Sequence, residues 1–308
     1  MKRKWLWMVL WSLIVSTKVN ACDICGCGVG NNYIGILPEF RKHIVGLRYR
    51  SNSMWTHLGV GGANTYLTTR ERYRTFEAWG GWTINDKFRV MATIPYHFID
   101  KENQGTTVSK AGIGDVSISG FYQLVNNRHM LTSSSLIVQS LWLGGGVKLP
   151  TGKYNPDDNR NTAKNSNLFQ LGTGSVDLNL SGMYDLRIQD MGVNIAANYR
   201  MTTANRYNYK YGNKVNVNAQ LYYKFRPSMQ FSIAPNAGIQ FENASLDTDK
   251  GFKVTVSGGN LTLGTIGLEG GIGSIAFGAN YQFPLSQNLA SGIVKANDRL
   301  MIHVGFTF

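Results

Sequence analysis

Every cysteine of the 308-residue chain falls in one heptapeptide, Cys22-Asp23-Ile24-Cys25-Gly26-Cys27-Gly28. Three thiols at this spacing can do three kinds of chemistry. As thiolates they can hold a soft cation, copper(I) or zinc, with Gly26 and Gly28 letting the backbone close tightly and His43 as a candidate fourth ligand. In an oxidising compartment two of them can form a local disulfide, which leaves one over. Cys22 can also take a lipid, because Val19-Asn20-Ala21-Cys22 is an imperfect lipobox. The residues alone leave all three open. His43 opens the first strand, where a solvated or interfacial role is the plainer one for a lone histidine.

What precedes the cysteines gives their compartment. Lys2, Arg3 and Lys4 lead into an apolar run from Trp5 to Val15, followed by the small-residue site Val19-Asn20-Ala21, the pattern of a secretory signal peptide over residues 1–21. The run is too short for a stop-transfer helix. Both signal peptidase routes cut before Cys22, so residues 22–43 are expected to form a Cys-rich periplasmic segment. Cleavage removes Lys2, Arg3, Lys4 and Lys18 and no acids, which takes the formal charge from +13 to +9.

The elements that must carry any site follow from composition and period. The chain is 43% hydrophobic, 12% aromatic and only 16% charged, with 35 glycines. Disordered and coiled-coil sequences are charge-rich and poor in aromatics, so both are excluded. Mean hydropathy is slightly negative and no apolar run nears the roughly 18 residues of a spanning helix, which excludes a polytopic helical protein. A period of two recurs instead. Phe88, Val90, Ala92, Ile94, Tyr96 and Phe98 fall on one face, Lys87, Arg89, Met91, Thr93 and His97 on the other.

Segments of this kind lie near 44–55, 70–84, 87–99, 113–125, 132–149, 172–188, 190–203, 213–226, 228–241, 261–270, 272–285 and 299–308. Their connections alternate. Asn85-Asp86, 126–131, Gln189, Pro227 and Gly271 are short, whereas 56–69, 100–112, 150–171, 204–212, 242–260 and 286–298 are long. Twelve strands with short turns at one end and long loops at the other predict an all-β fold: a transmembrane antiparallel up-and-down β-barrel over 44–308 in the outer membrane of a Gram-negative bacterium. An even count closes the sheet and puts both mature termini in the periplasm. The final stripe Leu300, Ile302, Val304, Phe306 and Phe308 resembles the signal by which barrel-assembly machinery reads a last strand.

Alternation also sorts the charges. Arg48, Arg50, Glu77, Lys87, Arg89, His97, Asp115, Lys148, Asp177, Asp185, Arg200 and Lys224 fall on the inward face. Facing hydrocarbon, each cation would cost ~2–4 kcal/mol at the midplane, so the lumen is their place. With both signs present they can form an ion-paired network or line a path for a solute. A barrel of this size is wider than one that side chains fill and narrower than an open porin.

Four stretches carry a family likeness: Gly112-Ile113-Gly114-Asp115, Gly144-Gly145-Gly146-Val147-Lys148-Leu149-Pro150-Thr151-Gly152, Leu171-Gly172-Thr173-Gly174-Ser175-Val176-Asp177 and Tyr281-Gln282-Phe283-Pro284-Leu285. They resemble outer-membrane barrels grouped with the phenol meta-pathway (MetA-degradation) proteins, related in kind to hydrophobic-solute channels such as the long-chain fatty acid transporter. The resemblance covers most of the chain from about residue 44. It implies a passive channel for a small, apolar or aromatic solute.

Other classes find less support. His57, His97, His129 and His303 are histidines of the type that barrel phospholipases use, but the serine-containing motif of those enzymes is absent, as are paired carboxylates at defined spacing and a nucleophile elbow. The chain is not expected to be an enzyme. Nor is nucleic acid an expected partner, because the basic residues outside the lumen scatter over the long loops as Arg70, Arg72, Lys110, Lys153, Arg160, Lys164, Arg206, Lys210 and Lys214. Solvation or contact with anionic lipopolysaccharide accounts for them. The expectation is a channel in outer-membrane lipid. Two alternatives accompany it: soft-metal traffic through the cysteine segment, and a non-conducting surface barrel with 150–171 and 242–260 as its binding loops.

Overall fold

The computed structural model describes residues 43–132, 135–156, 169–228 and 230–308. Residues 22–42, with Cys22, Cys25 and Cys27, lie outside the described residues. The strands are β1 (Ile44–Thr56), β2 (Thr69–Asn85), β3 (Phe88–Asn103), β4 (Thr106–Ile113), β5 (Ser117–Thr132), β6 (Ser135–Lys148), β7 (Asp177–Ile188), β8 (Met191–Met201), β9 (Tyr209–Lys210), β10 (Lys214–Tyr223), β11 (Phe231–Ala244), β12 (Thr248–Asp249), β13 (Phe252–Lys253), β14 (Gly259–Ile272), β15 (Ile275–Leu289) and β16 (Lys295–Thr307).

Twelve of these close into one antiparallel barrel. Neighbours in sequence are neighbours in the sheet, and β1 pairs with β16 from Ile44↔Thr307 to Trp55↔Lys295, so no edge faces lipid at the hydrocarbon level. The seam ends in two backbone bonds, His43 N–H to the Phe308 carbonyl at 3.1 Å and Phe308 N–H to the His43 carbonyl at 3.0 Å. The C-terminal phenylalanine is thus zipped to the start of β1. His43 stacks on Trp82 at 4.0 Å and its Nδ1 accepts from the Thr83 amide at 3.2 Å, so the candidate fourth metal ligand is built into an aromatic rim.

Alternation sets the wall as expected. Leu47 is 63% exposed on the outside and its neighbour Arg48 only 5% on the inside. Along β2 the outward residues Phe76, Ala78, Gly80, Trp82 and Ile84 span eight residues, about 20 Å across the membrane after tilt, near the height of an apolar outer band. Arg70, Arg72 and Arg74 continue the same face beyond that band.

The lumen is layered. Toward the short-turn rim Ile44, Trp79, Met91, Phe121 and Trp142 pack into a buried apolar cluster. Toward the long-loop rim Met54, Tyr73, Ile99, Phe169, Leu261, Leu263 and Leu289 form another. A charged belt lies between. Above the barrel β9, β12 and β13 form a small separate sheet. It hangs on buried Asp247, which accepts from the Tyr209 hydroxyl at 2.5 Å and the Gly212 amide at 2.7 Å.

Three sequence expectations are corrected. Residues 100–112 are not a loop: β3 runs on to Asn103, turns through Gln104 (φ 48°) and Gly105 (φ 76°), and returns as β4. The 126–131 stretch is not a turn but the end of β5, because the strand continues past the point where apolar alternation fades. Lys87 sits in the β2–β3 turn, exposed, and not on an inner face.

Candidate functional site

The belt has two sides of different construction. On the first, facing strands hold each other. Arg48 lies directly opposite both Glu77 and His303 in register, and donates to Glu77 Oε2 at 3.2 Å. Arg50 reaches the other oxygen of the same carboxylate. His303 Nε2 lies 3.1 Å from Glu269, which also accepts from Asn280 at 3.1 Å. Thr75 meets His97 Nδ1 at 2.9 Å, and Arg299 donates to Glu242 at 2.7 Å. A charge this deep is tolerated only when paired and hydrogen-bonded, and these pairs supply that.

On the second side a strand holds a loop. β4 and β5 act as one long partner of β3, interrupted at Gly114-Asp115-Val116. The break turns Asp115 into the lumen. Its Oδ1 accepts from the Gly152 amide at 3.0 Å, and its Oδ2 accepts from the Thr173 amide and hydroxyl, both at 2.9 Å. Lys148, the last residue of β6, lies 2.6 Å from Asp115 and 3.0 Å from Asp177, the first of β7. Thr151 pins the same place by donating to the Gly114 carbonyl at 2.8 Å and accepting from the Val116 amide at 2.9 Å.

The two ends of the loop cross so closely that only glycine fits. A Cβ on Gly172 would stand 2.6 Å from the Gly152 Cα and 2.4 Å from Asp115 Oδ1. From this crossing Leu171 and Phe169 reach into the apolar cluster above, where the Lys110 ammonium sits 4.4 Å over the Phe169 ring and donates to its carbonyl at 2.9 Å. The described loop ends therefore turn into the lumen and pack against its wall. They leave a cavity of about 40 Å³ lined by Arg50, Glu77, His97, Asp115, Lys148 and Thr173 among others. That is room for a few waters.

Arg48, Arg50, Glu77, His97, Asp115, Lys148, Asp177 and Arg200 come together in the belt or around its cavity. Arg200 donates to Asn179 at 3.0 Å. Arg89 is buried nearer the short-turn cluster, donating to Thr83 at 3.2 Å. Asp185 accepts from the Tyr222 hydroxyl at 3.1 Å toward the same end. Lys224 lies past the end of β10 at that rim, its amide donating to the Asp190 carbonyl at 2.7 Å, and so borders the mouth. Glu242, Glu269 and Arg299 were missed. Glu269 and Arg299 sit in predicted strands, where parity with Thr265 and His303 would have placed them inside.

The three stretches around Asp115, Lys148–Gly152 and Leu171–Asp177, far apart in the chain, are the parts of this one crossing. Comparison with known proteins bears on the same region. No curated protein matches the chain in sequence. The fold is similar to an outer membrane channel from Pseudomonas putida F1, at 13% identity and a TM-score of 0.60, covering 89% of this chain and 100% of that one. The beta domain of the Bordetella autotransporter Brka aligns at 10% identity and a TM-score of 0.48, covering 87% and 100%. The match to the channel fold shows the fold of an outer-membrane β-barrel. Over residues 56–257, which hold the whole crossing, the sequence matches a family profile, and the chain belongs to that family, described as "Putative MetA-pathway of phenol degradation".

Proposed function

We propose that the chain is a passive outer-membrane channel for a small solute, with its short-turn rim and both chain ends in the periplasm, its long loops outside the cell, and its lumen closed at rest by the Asp115 latch. The observation that carries this is the strand break at 114–116, which spends a wall residue on holding two loop ends inside the barrel. A barrel that served only as a scaffold has no need of a buried, glycine-crossed plug. The solute we propose is small and apolar or aromatic. Family membership supports that choice, and so do the apolar layers on either side of the belt, which suit such a molecule, while the paired charges between them bar free passage of ions.

Planar-bilayer conductance together with solute flux into liposomes tests the proposal. Wild type should show low, infrequent conductance and Asp115→Asn at least a tenfold higher open probability. Silence from both, with no flux of a small aromatic probe, would leave a non-conducting surface barrel as the better reading.

The spacing of Cys22, Cys25 and Cys27 supports a separate proposal for the segment ahead of the barrel, capture of copper(I) or zinc. Copper titration should lose stoichiometry in a Cys25→Ser, Cys27→Ser variant, and intact mass decides whether Cys22 carries lipid. At the other end, Phe308 is proposed as the residue the assembly machinery reads.

A further inference from the structure

On the outer wall at β1 the polar rows of the rim do not cancel among the described residues. On the lipid-facing side of β1 the residues run Val45, Leu47, Tyr49, Ser51, Ser53, Trp55, from aliphatic through aromatic to polar. Their cross-strand partners follow the same gradient. Tyr49 faces Phe76 and Ile302, Ser51 faces Arg74 and Leu300, and Trp55 faces Arg70 on one side and Lys295 on the other.

The lower arginines are already spent, Arg74 on Asp100 at 2.5 Å and Arg72 on Glu102 at 2.6 Å. Arg70 and Lys295 form no salt bridge among the described residues: Glu102, opposite Arg70 in register, is held by Arg72. Asp298, the remaining carboxylate of the patch, accepts from the Tyr281 hydroxyl. Arg70 instead lies over the Trp55 ring, 5.5 Å from its centroid. A guanidinium parked on an aromatic face is preorganised, weakly hydrated, and keeps its donor edge free for an oxyanion.

These groups line a groove of about 550 Å³ with Ser53, Asn297 and Asp298. Directly opposed residues stand ~5 Å apart, so the Cβ atoms of Arg70 and Lys295 flank that of Trp55 at roughly 10 Å from each other. Arg70 is six residues above Phe76, about 15 Å beyond the aromatic edge of the apolar band after tilt. That is above the acyl chains and within the headgroup sugars.

We infer that the Arg70–Trp55–Lys295 row is a binding site for the phosphate- and carboxylate-bearing headgroup sugars of outer-leaflet lipopolysaccharide. Two separated cations take the anionic substituents, while the indole edge and the Ser53 and Asn297 side chains suit a sugar between them. This rests on the orientation proposed above, with the long loops outside the cell.

The test uses refolded full-length protein in detergent, with lipopolysaccharide binding read by native mass spectrometry. The Arg70→Gln, Lys295→Gln double variant should bind at least tenfold more weakly, with unchanged heat-modifiable mobility and bilayer conductance. Equal binding by the variant overturns the site. So does equal binding of dephosphorylated, core-stripped lipopolysaccharide by wild type. Equal binding of phosphatidylglycerol overturns the sugar assignment. Should the double variant misfold, Trp55→Ala gives a second reading, with a smaller loss expected and no loss overturning the stacked-cation role. Labelling of Tyr66→Cys on intact cells tests the orientation by itself, so failure there is distinguishable from failure of the site.

Discussion

The two sides of the lumen belt use the same chemistry for different ends. Around Glu77 and Glu269 every charged group is carried by a strand and answered by another strand of the wall, adjacent for Arg48–Glu77 and one strand further round for His303–Glu269, so the pairs stiffen a wall that would close anyway through its backbone bonds. Around Asp115 the carboxylate answers one strand lysine and three donors from a loop. Breaking the first side should loosen the barrel without opening it, whereas breaking the second should open it. A salt bridge seen in a pore therefore says little about gating until the element at each end is known.

Substitutions can break this contrast, starting with the largest effect. Lys148→Met leaves Asp115 and Asp177 facing each other without their cation and should cost about 3–5 kcal/mol in urea unfolding followed by tryptophan fluorescence. Conductance should rise with it. Glu77→Gln removes the carboxylate charge that Arg48 and Arg50 share, at a similar cost, yet its bilayer traces should match wild type. If the two variants conduct alike, the division of the belt fails. Gly172→Ala forces the loop crossing apart and should cost about 1–3 kcal/mol, with more frequent openings as its signature. The smallest change, Thr151→Val, removes two bonds at the strand break for about 1 kcal/mol, and should alter opening frequency more than unfolding midpoint.

Much of this architecture was readable in advance, and what was not has a physical cause. The alternation of Leu47 with Arg48, or of Phe98 with His97, is dictated by having hydrocarbon on one side and a charged lumen on the other. Where the hydrocarbon stops, so does the signal. Asp100-Lys101-Glu102-Asn103 and Thr106-Thr107-Val108-Ser109 form two paired strands, but above the apolar band neither needs an oily face, so they read as loop. The same holds for β9, β12 and β13. At the latch, the sequence named Asp115, Lys148 and Asp177 as inward by parity. It held no sign that Gly152 and Gly172 touch, because that contact depends on a loop folding inward, which period two does not encode.

The β3–β4 hairpin has one further consequence. Above the level where Ser117 pairs with Lys148, β4 is hydrogen-bonded on only one side among the described residues, and its tip at Gln104-Gly105 is exposed, with the Gln104 side-chain amide donating to the Tyr66 carbonyl at 3.1 Å. Eight residues of β4 rise about 26 Å along the strand. It is a mast fixed to a rigid hull. In the proposed orientation a short epitope spliced between Gln104 and Gly105 would be carried at the outer surface of the cell, which makes this turn the natural place from which to tag, image or display on the barrel.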